Sequence, residues 1–95
     1  MNHARILIVE DDPHWIRTIR QVLGDTPQLV ADAQTLAAAA ELLDQRYFNV
    51  AVVDFSLREG DADDDQGMQF LKLLRQRGLE STVRTIVLSA YGNVR

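Results

Sequence analysis

The feature that most constrains the fold is a pair of short, unbroken apolar runs that each lead into acidic residues. The first is Arg5–Val9 (RILIV), and Glu10 and Asp11 follow it directly. The second is Asn49–Phe55 (NVAVVDF), which carries Asp54 near its end. A strand covered on both faces has such a continuous apolar run, and runs this short favour strands over helices. Both runs are therefore predicted to be buried strands of a parallel sheet.

The residues that follow the first apolar run predict a helix. Asp12 can cap a helix, and Pro13 fits a first turn where no backbone donor is needed. The helix is predicted to extend to about Leu23, because Gly24 suits the position just beyond a helix end. Its inward face is predicted to hold Ile16, Ile19 and Leu23.

The rest of the chain continues the alternation of strands and helices. The predicted elements are a strand at Leu29–Ala33, a helix from its cap Thr35 to about Arg46, a loop from Ser56 to about Gln66, a helix at Met68–Gln76 closed by Gly78, and a strand at Val83–Ala90. The order βαβαβαβ predicts an α/β fold, in which a parallel sheet carries helices on both faces.

Unusual polar residues lie where such a sheet would place a site. In open parallel sheets the site lies beyond the carboxyl ends of the strands. Glu10 and Asp11 follow the first predicted strand, Asp54 ends the third and Ser89 ends the fourth. The predicted topology and the positions of these polar residues therefore both indicate a site at the carboxyl edge of the sheet.

Composition narrows the classes of function. A length of 95 residues predicts a single domain over 1–95, and the absence of cysteine excludes disulfides and thiolate metal sites. Neither a membrane-length apolar run nor a signal-peptide pattern is found, so we expect a cytoplasmic protein that does not enter a membrane.

The net charge of −4 has a local origin. Five acids and one base lie between Arg58 and Gly67, whereas the rest of the chain holds nine acids and nine bases. No basic stripe suggests that this domain alone binds nucleic acid. The run Asp61–Asp65 is interpreted as part of a solvated loop, with a second cation site as the alternative.

Three carboxylates that converge on one pocket need a cation or raised pKa values, because like charges repel. An all-oxygen site suits a hard divalent ion such as Mg²⁺. With the ion bound, Asp54 can attack a phosphoryl donor and form an acyl phosphate. Ser89 can donate a hydrogen bond to a phosphoryl oxygen.

Three segments resemble signatures of the response regulator receiver domains of two-component systems, the CheY-like superfamily. They are ILIVEDD at Ile6–Asp12, AVVDF at Ala51–Phe55 and VLSA at Val87–Ala90. The resemblance covers the whole chain in the right order. It implies a flavodoxin-like three-layer sandwich with a parallel sheet of order 2-1-3-4.

The resemblance also implies roles for individual residues. Asp54 would be the phosphoacceptor of a phosphorelay and a ligand of Mg²⁺, with Asp11 as a direct ligand and Glu10 acting through water. The backbone carbonyl of Ser56 would complete the protein ligands, and Ser89 would be the switch hydroxyl. The partner would be a sensor histidine kinase or a phosphotransfer protein, and the chain would be a signalling module and not an enzyme.

Two departures from the family pattern keep an alternative open. Receiver domains carry a fifth strand that ends in a lysine, then a fifth helix, and neither is recognised here; the one lysine is Lys72, on the third predicted helix. We therefore expect a receiver domain that is incomplete at its C-terminus. Gly67 comes later than the family pattern leads us to expect, so the acidic loop resembles an insertion. A pseudo-receiver that mediates protein interactions without phosphorylation remains the alternative.

Two other classes fit the motifs less well. A haloacid-dehalogenase-like phosphohydrolase would have a second aspartate two residues after its nucleophile, and here that residue is Ser56. A nucleotide-binding Rossmann domain would have a glycine-rich first turn, whereas this turn is EDDP.

A homodimer is also expected. In the order 2-1-3-4 the fourth strand is an open edge whose central residues, Ile86, Val87 and Leu88, are apolar. The sheet face beside the first helix, around Trp15, Ile16 and Ile19, is also expected to be bare, because no fifth helix is recognised to cover it. Two-fold pairing through either surface, or an exchange of C-terminal segments, would cover them.

Overall fold

A computed structural model describes residues 4–24, 29–54 and 66–88, which form four strands and three helices in alternation. The elements are β1 (Ile6–Val9), α1 (Pro13–Leu23), β2 (Val30–Ala33), α2 (Leu36–Gln45), β3 (Val50–Asp54), α3 (Gln66–Gln76) and β4 (Arg84–Leu88). All seven were predicted, with ends that differ by one or two residues. The last two residues of the predicted fourth strand lie outside the described residues.

The strands form one parallel sheet in the order β2-β1-β3-β4, which confirms the predicted topology. The two apolar runs are central neighbours, with Ile6 opposite Val50 and Val9 opposite Val53. Their central position explains why these runs have no polar interruption, since both faces of each strand are covered by helices.

The predicted helix-capping residues act as expected. The Asp12 carboxylate accepts from the backbone N–H of His14 at 2.9 Å, and Pro13 occupies the first turn of α1. Gly24 ends α1 in the left-handed conformation at φ 89°, which glycine adopts without the steric penalty of a side chain. The Thr35 hydroxyl accepts from Ala38 N–H at 3.1 Å and caps α2.

Two apolar layers lie on opposite faces of the sheet. On one face α2 and α3 pack over alternate strand residues, with Phe70 and Leu74 of α3 almost fully buried. On the other face α1 packs Ile16 and Ile19 against Ile8, Val30 and Val52. This arrangement is the three-layer sandwich that was predicted.

Ile16 and Ile19 lie on the inward face of α1, as predicted, and the prediction that the sheet face around them is bare is wrong. Both are buried, because they point at the sheet and contact its strands. Trp15 is 50% exposed, because its position on the helix, next to Ile16, points its side chain away from the inward face. Leu23 is also more exposed than predicted, at the very end of the helix.

β4 is the outermost strand on its side of the described sheet. Its apolar residues Ile86, Val87 and Leu88 are 50%, 42% and 37% exposed. The predicted apolar edge is therefore present in the described part of the chain, and the predicted dimer stays a prediction.

The different burial of two apolar helix residues predicts different losses of stability when each is replaced by alanine. Leu74→Ala is expected to lower the free energy of unfolding by about 2–5 kcal/mol, because Leu74 is 1% exposed within the core. Val22→Ala on α1 is expected to change it by less than about 0.5 kcal/mol, because Val22 is 79% exposed. Urea unfolding monitored by circular dichroism measures both. Equal losses would contradict the described packing of α3.

Candidate functional site

The register of the two central strands brings the acidic residues together. β1 and β3 pair in parallel with Val9 opposite Val53, so the next residues along, Glu10 and Asp54, lie opposite each other. Both occur where their strands end, at the carboxyl edge of the sheet. The sequence-based prediction that these acids converge is therefore supported by the strand pairing.

Glu10 is the buried member of the group. It is only 5% exposed, and the Asp12 N–H donates to its Oε2 at 3.0 Å. Burial raises the pKa of Glu10 to about 8, and hydrogen bonding to the neighbouring carboxyl of Asp54 and repulsion from its charge act in the same direction. Asp11 also hydrogen bonds to Glu10 and raises its pKa further, while the Asp12 N–H lowers it. Without a cation, Glu10 is thus held protonated at neutral pH.

The loop between β1 and α1, which carries Glu10 and Asp11, is held by hydrogen bonds at the start of α1 and at the end of β2. The start of α1 holds it through Asp12, whose backbone N–H and side chain are both engaged. From the other side, Glu10 N–H donates to the carbonyl of Ala33 at 3.0 Å, and Gln34 Nε2 donates to the carbonyl of Asp11 at 3.4 Å. The end of β2 therefore helps to set the position of the acidic pair.

Gln34 was not recognised from the sequence. The signal that could have identified it is its position directly after β2, on the same edge of the sheet as Glu10 and Asp54. A single glutamine after a strand has no distinctive chemistry, so the spacing alone did not select it.

Three of the five predicted site residues, Glu10, Asp11 and Asp54, are described. Ser56 and Ser89 lie outside the described residues, and so does most of the acidic segment 58–67 with its alternative role as a second cation site. Lys72 lies on α3, where it lines the grooves that α3 forms with β4 and with α2. None of the three acids lines either groove.

The carboxyl groups fit a hard divalent cation in chemistry, although they are not a complete metal site. Within residues 4–24, 29–54 and 66–88, no group of three acidic or histidine side chains is arranged to hold a metal. Mg²⁺ commonly binds through one or two carboxylates and fills its other positions with water or phosphate oxygens. The crowding of Glu10 against Asp54 is the kind of charge conflict that such an ion relieves.

No helix in the described ranges combines the length and apolar character needed to cross a membrane.

Comparisons with known proteins agree on one family. The family model of the response regulator receiver domain matches residues 6–95. The chain is 30% identical over 93 residues to the alginate biosynthesis transcriptional regulatory protein AlgB of Pseudomonas putida, and 30% identical over 91 residues to AlgB of Pseudomonas aeruginosa. These matches cover 98% and 96% of this chain but only 19% of each relative, so the chain spans about a fifth of their length.

Solved structures of response regulators resemble this fold. The MaeR response regulator bound to beryllium trifluoride aligns with 97% of this chain and 71% of its own, at a TM-score of 0.71 and 31% identity. The MaeR D54A mutant bound to sulfate aligns at a TM-score of 0.70 and 30% identity, over 97% of this chain and 72% of its own.

The raised pKa of Glu10 predicts a fall in stability with rising pH in the absence of divalent cations. The folded pKa is about 8 and the ordinary value is 4.5, so the folded state binds more protons than the unfolded state between these values. The free energy of unfolding should therefore decrease as pH rises from about 5 to about 8. Urea unfolding at several pH values in a chelating buffer measures this slope.

The matched control is Glu10→Gln, which keeps the shape of the side chain and cannot ionise. It should remove the part of the slope that belongs to Glu10, while slopes from other groups remain. An identical pH dependence in the two proteins would contradict the raised pKa.

Proposed function

Because the chain belongs to the family of response regulator receiver domains, we propose that it accepts a phosphoryl group on Asp54 with the assistance of Mg²⁺. The observation that carries the proposal is the apposition of Asp54 with buried Glu10 at the carboxyl edge of the sheet. The family places the chain among signalling modules of two-component systems.

The proposed chemistry starts at the carboxylate of Asp54. One of its oxygens attacks phosphorus, the bond from phosphorus to the donor breaks, and the donor leaves with the electron pair. The product is an acyl phosphate on Asp54. Mg²⁺, when bound, would offset the negative charge on the carboxylates and on the transferred group.

The other residues are assigned supporting roles. Asp11 and Asp54 would hold the ion with the backbone carbonyl of Ser56, and Glu10 would act through water. Ser89 would donate a hydrogen bond to the phosphoryl group. The restraints on the loop at Asp12 and Gln34 support this assignment, because a preset loop lowers the entropy lost when the ion binds.

Ligands of the relatives are consistent with a phosphoryl site. The MaeR response regulator binds beryllium trifluoride, and its D54A mutant binds sulfate. Both ligands resemble a phosphoryl group in size and charge. Membership of the family supports a sensor histidine kinase or a phosphotransfer protein as the proposed donor. The exposed apolar residues of β4 support a homodimer as the proposed assembly.

One observation favours a second candidate, an interaction module that keeps the receiver shape without phosphorylation. The single lysine of the chain, Lys72, lies on α3 and lines no groove that contains the acidic residues. A lysine ammonium paired with phosphoryl oxygens is a strong, charge-assisted contact. Where no lysine makes this contact, transfer of the phosphoryl group to Asp54 would be slower.

Phosphorylation by a small donor separates the two candidates. We expect the 95-residue chain to react slowly or undetectably with acetyl phosphate and Mg²⁺, and to react readily once it is extended by a fifth strand that bears a lysine. Intact-mass spectrometry detects the added phosphoryl group, and Asp54→Asn in the extended protein should abolish it.

The control for general charge effects is Asp44→Asn, since Asp44 lies at the end of α2 and pairs with Arg77. This variant should be phosphorylated like its parent. Failure of the extended protein to react would contradict the proposed function and favour the interaction module. Rapid, stoichiometric, Asp54-dependent reaction of the 95-residue chain would show that the lysine is dispensable.

A further inference from the structure

The outer edge of β2 is covered by a side chain from α1. β2 is the end strand of the described sheet on the side of β1. The carbonyls of Leu29 and Ala33 accept from β1, at 2.7 Å from Ile6 N–H and 3.0 Å from Glu10 N–H. Backbone groups alternate in direction along a strand, so those of Val30 and Asp32 point away from the sheet. In the described part of the chain, these groups form the outer edge of the sheet.

Arg20, in the last turn of α1, reaches this edge. Its Nη2 donates to the outward carbonyl of Val30 at 3.3 Å. The same guanidinium binds the Asp32 carboxylate, with Nη2 at 2.6 Å and Nε at 3.1 Å from Oδ2. The side chains are 22% and 33% exposed, so the pair is partly shielded from water.

The ion pair of Arg20 with Asp32 differs from a simple link between two elements, because it lies on the edge of a strand. Arg77 and Asp44 form a comparable pair at 2.9 and 3.1 Å, but it joins α3 to α2 and neither partner lies in a strand. Asp32, in contrast, lies within β2, where aspartate is disfavoured. A charge on an edge strand opposes pairing with another strand, and a donor placed on an outward carbonyl removes an acceptor from that edge.

We propose that Arg20 and Asp32 form a guard that prevents the edge of β2 from pairing with the same edge of a second copy. Such a pairing would be two-fold and would bring two Asp32 side chains and two Arg20 side chains close to one another. The two edges of the described sheet therefore differ in how readily they can pair. The β2 edge carries the Arg20–Asp32 guard, whereas β4 (RTIVL) carries no acid and exposes apolar residues. Association of the wild-type chain is thereby directed away from β2.

The test removes both members of the guard. Arg20→Met with Asp32→Thr keeps apolar volume on α1 and places a good strand former in β2. We expect this variant to self-associate about tenfold more tightly than wild type in sedimentation equilibrium. Amide hydrogen exchange at Val30 and at position 32 should slow as its concentration rises.

The matched control is Arg77→Met with Asp44→Thr, which breaks the ion pair between Arg77 and Asp44 and leaves both sheet edges unchanged. It should associate like wild type, even if it loses similar stability. Should the first variant fail to fold, Asp32→Asn keeps the side-chain shape and is expected to give the same exchange signature to a smaller extent. Unchanged association in the guard variants, or tighter association without protection at β2, would overturn the proposal.

Discussion

The site depends on the parallel pairing of β1 with β3. This register sets Asp54 beside Glu10, which is buried, as a consequence of burying two apolar runs. The strands cannot slip by one residue without turning their apolar side chains to the opposite face. The proximity of the two carboxyl groups is therefore held by the same packing that holds the core.

Two carboxyl groups in contact, of which that of Glu10 is buried, cannot both ionise without compensation. Either a proton stays on Glu10, as its raised pKa indicates, or a cation neutralises the pair. These two solutions compete for the same space, so proton and cation binding are coupled. A site of this kind is prepared for a charged ligand, because binding relieves a conflict that folding creates.

The parts of the fold that depend on local sequence were predictable. Unbroken apolar runs indicated the strands, and Asp12, Thr35 and Gly24 marked helix ends through contacts with near neighbours. The convergence of Glu10 and Asp54 also followed, because the carboxyl ends of parallel strands share one edge.

The remainder depends on contacts between residues distant in the chain. The sequence did not indicate that Arg20 covers the edge of β2, that Gln34 contacts the acidic loop, or which of the acids has the raised pKa. The sheet face around Ile16 and Ile19 was wrongly expected to be bare, because the sequence pattern does not show how closely α1 packs on the sheet.

The central claim, that folding forces Glu10 and Asp54 into a charge conflict which a cation resolves, is tested most directly by carbon-13 NMR of the Glu10 side-chain carboxyl. Titrated with pH in the absence of divalent ions, this carboxyl should ionise near pH 8. Saturating Mg²⁺ should move its ionisation to lower pH in the wild type, and much less in Asp54→Asn. Ionisation close to the ordinary value of 4.5 without Mg²⁺, or a titration that Mg²⁺ does not alter, would contradict the account.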